Sequence, residues 1–251
     1  PRFTRDLYFT PMNQASHIPL PSHWPVLNGL KDIQGQPLPA GTIYCIGRNY
    51  ADHAKEMNAA IPSEPMVFIK PIGTLSIGDG SLSLPAESQD VHHEVEWVIA
   101  IGKGGKHISL EQAWDHVAGW AVGIDFTARD LQAKAKAAGK PWTLAKGFDG
   151  FAPISSFTAK PSSMSLEDMQ KFQLSLKVNG QLRQEDTLDQ MIFDASRLIS
   201  YLSSVFTLQA GDLIFTGTPS GVSQVVPGDS CLAELKDPKG SSTHQLEINI
   251  T

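Results

Sequence analysis

The chain strings together short apolar runs separated by turn formers, and only a few stretches carry helical spacing. TIYCIG, MVFIK, HEVEWVIAIG, WAVGIDF, FQLSLKVNG, DLIFTGT, CLAEL and HQLEINI are β-rich runs bounded by Gly, Pro and Asp-containing turns, and each predicts a strand. Three segments predict helices instead. Ser109 to Val117 opens with Ser109 and Gln112 at capping-box spacing. Thr127 to Ala138 has Thr127 as its N-cap, Asp130 in its first turn and Gly139 as its terminator. The longest, Thr187 to Phe206, brings Leu188, Met191, Ile192, Ala195, Leu198, Ile199 and Leu202 to one face. Strands interrupted irregularly by few helices predict a β-dominated α+β fold, not a doubly wound parallel sheet. Residues 1–41 are rich in Pro and turn formers (HIPLPSHWPVLNG, GQPLPAG). They predict an irregular N-terminal extension packed on a main body that spans 42–251.

Composition narrows the class without naming a function. A chain of 251 residues buries roughly 70–75% of its unfolded surface, so it needs no disulfide or structural metal to fold. A net charge of −6 offers no general attraction to nucleic acid or to an anionic membrane. No run approaches the ~18 consecutive apolar residues of a membrane span. Cys45 and Cys231 sit inside apolar runs and read as buried thiols of a reducing compartment, not as a disulfide or zinc framework. The opening PRFTRDLYFTPMNQ has no apolar signal core, which makes the cytoplasm the expected location.

The acidic residues change the picture more. In HHEVEWVIAIG, strand alternation puts Glu94, Glu96, Val98 and Ala100 on one face and Val95, Trp97, Ile99 and Ile101 on the other. Both faces turn apolar toward the C-terminal end, so the strand is expected to be covered on both sides. Two carboxylates on one face, ~7 Å apart along the strand, would repel each other there, and keeping them ionised while buried requires a cation. WAVGIDF adds Asp125 at the end of another apolar strand. Three hard oxygen donors suit Mg²⁺, Mn²⁺ or Ca²⁺ rather than zinc or copper. Alternation alone also admits the plainer arrangement, in which Glu94 and Glu96 line an open, solvated face.

Other residues suit proton and anion chemistry. In ADHAKEMN, His53 and Glu56 are three apart and share a helix face, so the carboxylate can orient the imidazole as a general base, or the two can form an ordinary surface pair. Arg129 and Gln132 neighbour each other on the helix after Asp125, where an Arg can grip a carboxylate bidentately. Lys146 and Lys70 each close an apolar stretch. Such a Lys either snorkels to water or acts in catalysis beside a cation. GTPSG (217–221) supplies Thr218 and backbone amides at a tight turn.

In order along the chain, IGRNYADHAKEM, EPMVFIKP, VHHEVEWVIAIGK, GWAVGIDFTARDLQ, GKPWTLAKGFD, LKVNGQLRQ and AGDLIFTGTPSGV resemble the fumarylacetoacetate hydrolase family. The likeness is to its acylpyruvate hydrolase and oxaloacetate decarboxylase or tautomerase branch. It covers about residues 42 to 229; the first 41 residues and the tail after 230 fall outside it. The resemblance implies a mixed β-sandwich roll with flanking helices, usually as a homodimer. It implies Glu94, Glu96 and Asp125 as ligands of Mg²⁺ or Mn²⁺, and His53 with Glu56 as a water-activating pair on a lid. Lys146 is then expected to share oxyanion charge, with Arg48, Arg129, Gln132 and Thr218 around the substrate. The implied chemistry is hydrolysis, decarboxylation or keto–enol tautomerisation of small 2-oxo acids through a metal-bound enolate. Two alternatives stay open: an isomerase or decarboxylase of longer unsaturated dioic acids (the 2-hydroxyhepta-2,4-diene-1,7-dioate type), and a protein that binds a 2-oxo acid without turnover.

Overall fold

The computed structural model describes residues 24–31, 35–57 and 60–251. Of the expected N-terminal extension, residues 1–23 and 32–34 lie outside these. The fold is strand-dominated α+β. Its centre is a mixed sheet ordered Met66–Lys70, Ile43–Gly47, Leu213–Phe215, Val95–Ile101, Val117–Ile124, Ala152–Ile154 and Leu75–Ile77. A second sheet, Gln181–Thr187, Gln173–Val178, Ser230–Lys236, Ser242–Ile250 and Gly80–Leu82, packs beside it.

Val95–Ile101 is buried at every position, as its two apolar faces require. Val95, Trp97, Ile99 and Ile101 enter a large core with the second sheet and with the helix Ala195–Val205. Val98 and Ala100 enter a smaller core on the opposite face, together with Cys45, Phe215 and residues of the N-terminal strands such as Leu27, Leu30 and Leu38. Cys45 and Cys231 are both buried free thiols. Among the described residues, no helix is long and apolar enough to cross a membrane.

The helices are shorter than their patterns predict. The span from Thr187 to Phe206 is not one helix: a strand runs to Thr187, Leu188–Gln190 forms a 3₁₀ turn, and the helix starts at Ala195. The Asp194 side chain accepts from the Arg197 amide at 2.9 Å, so the true N-cap lies well inside the periodic stretch. Thr127 is likewise not a cap. Thr127–Ala128 pairs as a short strand with Val91–His93, and the helix is Arg129–Ala137. The Ser109 side chain makes no capping bond to its helix.

Candidate active site

Register explains how the three acids meet. Val95–Ile101 and Val117–Ile124 are antiparallel, with Val95 opposite Ile124 and Glu96 opposite Gly123. One step further, the Asp125 amide donates to the Glu94 carbonyl at 2.8 Å. Glu94 and Asp125 are therefore cross-strand partners, and Glu96, two residues on, shares their face. Glu94 itself sits at the break between Val91–His93 and Val95–Ile101 rather than inside one continuous strand. The face stays the same across the break. One carboxylate oxygen from each of Glu94, Glu96 and Asp125 lies within 4.8 Å of the others, and all three residues are buried. The open, solvated face is thereby excluded.

Cations crowd the same point. Lys146 Nζ donates to Glu94 Oε2 at 2.8 Å and to Asp125 Oδ2 at 2.5 Å. Arg129 Nη2 donates to Glu94 Oε1 at 2.5 Å, and its Nη1 donates to Gln132 Oε1 at 2.8 Å. Lys70 does not snorkel: its buried ammonium lies 2.6 Å from Asp125 Oδ1 and donates to the carbonyls of Phe126 and Phe151. Burial pushes Glu94 upward, but the charges of Lys146 and Arg129 outweigh it and hold the carboxyl well below its usual range. Glu96 has the opposite balance. Burial, then Asp125 and Glu94, drive its carboxyl well above the usual range, against only a 2.7 Å bond from the Gly217 amide and the charge of Lys146. Burial works against the Lys146 ammonium, yet Asp125 and Glu94 together make it hold its proton more firmly than usual.

This donor set fits a divalent cation. All three donors are carboxylate oxygens, the kind that hard cations take. Asp125 Oδ1 is buried without a hydrogen bond, its contact with Lys70 being an ion pair lacking hydrogen-bond geometry. Glu96 has a short supply of positive charge that a cation among the three acids would meet.

His53 faces the acids across a small cavity. The helix Ala51–Glu56 carries it, and its Nδ1 lies 3.1 Å from Glu56 Oε2. A carboxylate accepts, so Nδ1 bears the proton and Nε2 is left free as a base. Glu56 in turn accepts from the Gly221 amide at 3.2 Å, tying this helix to the GTPSG turn. The cavity is lined by Arg48, His53, Arg129, Gln132, Lys146 and Thr218 with the three acids, so every site residue expected from sequence except Glu56 borders it directly. Its volume of about 30 Å³ is room for at least one water among these polar groups.

Two supporting residues, Asn49 and Gln184, escaped the sequence reading. Asn49 locks the turn that carries Arg48: its side chain donates to the Phe193 and Thr216 carbonyls and accepts from the Phe193 amide. Arg48 itself holds a left-handed φ of 58°. Gly217 is required here, because its φ is +99° and an added Cβ would lie 2.6 Å from Asn49 Cβ. Gln184 is the second, and Lys70, which the sequence left open between snorkelling and catalysis, is buried like it. Both are polar residues in plain surroundings whose burial arises only from tertiary packing.

The sequence profile described as "Fumarylacetoacetate (FAA) hydrolase C-terminal" matches residues 42–246. The chain belongs to the fumarylacetoacetate hydrolase family. Within it, the chain is 49% identical over 187 residues to "Oxaloacetate decarboxylase, mitochondrial" of Dictyostelium discoideum, covering 74% of this chain and 84% of that protein. It is 46% identical over 206 residues to "Oxaloacetate tautomerase FAHD1, mitochondrial" of Arabidopsis thaliana, covering 82% and 90%. Among solved structures, fumarylpyruvate hydrolase from Pseudomonas aeruginosa in complex with Mn²⁺ and pyruvate superposes with a TM-score of 0.81. That pair shares 38% identity over 94% of this chain and 99% of the other.

Proposed function

We propose that this member of the fumarylacetoacetate hydrolase family is a Mg²⁺- or Mn²⁺-dependent enzyme of small 2-oxo acids. It would act through the substrate's enolate in tautomerisation or decarboxylation of oxaloacetate and hydrolysis of acylpyruvates. The observation that carries this is the convergence of three buried carboxylates within 4.8 Å on a cavity that His53 also borders. The relatives named above support the substrate class, and the Mn²⁺ of the structural neighbour supports the metal.

Glu94, Glu96 and Asp125 would hold the ion, which when bound supplies Lewis-acid polarisation of the substrate's carboxylate and 2-oxo oxygens. Arg129, braced by Gln132, offers its guanidinium to the carboxylate, with Arg48 at the same cavity. Lys146 stays protonated and brings positive charge to the side where the 2-oxo oxygen gains negative charge. His53 Nε2 takes a proton, from the carbon beside the carbonyl in tautomerisation or from water in hydrolysis. Decarboxylation reaches the enolate by loss of CO₂ and leaves His53 without that task.

The test is turnover of oxaloacetate and acetylpyruvate by EDTA-stripped protein, with Mg²⁺ and Mn²⁺ added back. Restored turnover of either substrate is the expected result, and full activity without metal would sink the proposal. Mn²⁺ binding with neither substrate turned over would move the substrate to longer unsaturated dioic acids. In the same assay His53→Ala should lower hydrolysis by roughly 10²-fold or more and decarboxylation far less. Equal losses would remove His53 from a selective base role.

A further inference from the structure

LKVNGQLRQ contains a buried residue that the proposed chemistry leaves without a task. The strand Gln181–Thr187 exposes Leu182 at 51% and buries Gln184 at 1%, the reverse of what side-chain polarity favours. Such burial requires partners for the amide, and Gln184 has four. Its Oε1 lies 3.0 Å from the Val95 amide and 2.8 Å from His93 Nδ1, and its Nε2 lies 2.8 Å from the Pro219 carbonyl and 2.7 Å from Thr218 Oγ1.

The direction of each Gln184 bond follows from these contacts. A backbone N–H only donates and a backbone carbonyl only accepts, so Val95 and Pro219 fix which end of the amide is oxygen. Because Oε1 accepts, His93 Nδ1 carries the proton. The other ring nitrogen, Nε2, lies 2.9 Å from Ser223 Oγ. Because Nε2 of Gln184 donates, Thr218 Oγ1 accepts. Its own proton meets no acceptor among the described residues, and Thr218 lines the cavity. The arrangement also clamps Glu94, since His93 and Val95, on either side of it, both bond to the same oxygen of Gln184.

We infer that Gln184, backed by His93, is a positioning residue that commits the Thr218 hydroxyl to donate into the cavity, to a carboxylate or oxo oxygen of the bound 2-oxo acid. This rests on the 2-oxo acid reading above. Gln184→Glu separates the idea from mere packing. A carboxylate of the same shape still accepts from Val95 and His93, but it cannot donate, and it draws the Thr218 proton away from the cavity.

The experiment measures pyruvate binding to the Mn²⁺-loaded full chain by calorimetry, with Mn²⁺ affinity measured separately, for wild type, Gln184→Glu, Thr218→Val and the double variant. Pyruvate should bind roughly tenfold more weakly to each single variant. The double variant should be no worse than Thr218→Val, because both changes remove the same bond. Thr218→Ser should keep wild-type affinity. Pyruvate affinity unchanged in Gln184→Glu, or a second full loss in the double variant, would overturn the proposal. Nitrogen-15 shifts of the wild-type imidazoles test it even where a variant does not fold. They should report His93 protonated at Nδ1 alone, and a ring protonated at Nε2 instead would overturn it. A wild type that binds Mn²⁺ but not pyruvate would overturn the 2-oxo acid reading and the relay's substrate with it.

Discussion

Two of the places where the described residues bury carboxylates solve the problem differently. At Asp212, 2% exposed, a single acid ties two loops to the sheet. Its Oδ1 accepts from the Thr42 amide and its Oδ2 from the Gln209 amide, both at 2.8 Å. It has no ion-pair partner among the described residues. At the other place three acids share one point, and the charges of Lys70, Arg129 and Lys146 press on them. A lone carboxylate can be held by backbone amides against no charge but its own, with burial alone lifting Asp212 above its usual range. Three in contact cannot: their mutual repulsion remains, and Glu96 carries most of it. The difference separates an acid that holds the fold from acids that the fold must hold.

The sharpest way to break that contrast is Glu94→Ala. The change removes one proposed ligand and leaves Lys146 and Arg129 facing a hole. Mn²⁺ affinity should fall by roughly 10²-fold or more, on the scale of losing a metal-site residue, and turnover should disappear with it. Titration calorimetry and the oxaloacetate assay check both. A variant that keeps metal and activity would take Glu94 out of the site.

Asp212→Ala probes the other side of the comparison. It leaves two amide donors unsatisfied where loops meet the sheet, which costs about 2 kcal/mol. In a chain of this size that lowers Tm by about 5 °C. Mn²⁺ affinity should not change. A loss of metal affinity that tracks the fall in Tm would mean that the two places are one cooperative structure and not two designs.

Legibility follows the same line. Strand alternation was enough to put Glu94 and Glu96 on one face, and i,i+3 spacing was enough to pair His53 with Glu56, because both are local geometry. The meeting of Glu94 with Asp125 depends on register across two strands, which no single run of residues encodes. Lys70 ends an apolar strand just as a snorkelling Lys would, and only the Phe126 and Phe151 carbonyls above it reveal otherwise. Gln184 stands in the polar string QLRQEDT, whose sequence carries no sign that one amide in it is buried. The helix predicted from Thr187 failed for a related reason. Leu188 and Met191 are buried, but from a 3₁₀ turn and the loop after it, so apolar spacing outran the helix that Asp194 begins.

Glu96→Gln gives the smallest effect and the finest test. Glutamine keeps the shape and can still accept from the Gly217 amide through its oxygen, while its NH₂ can donate to the carboxylates of Glu94 or Asp125. Removing one of three crowded charges should therefore stabilise the metal-free protein, by about 1 kcal/mol or a few degrees in Tm. The same change deletes a hard donor, so any rise in Tm that Mn²⁺ gives the wild type should be lost. Thermal melts with and without Mn²⁺ read both halves at once. A fall in Tm without metal would mean that Glu96 is held as comfortably as Asp212. A site whose acids destabilise the empty protein yet are stabilised by a cation stores part of its folding energy for the ion, as expected where function and stability compete for the same residues.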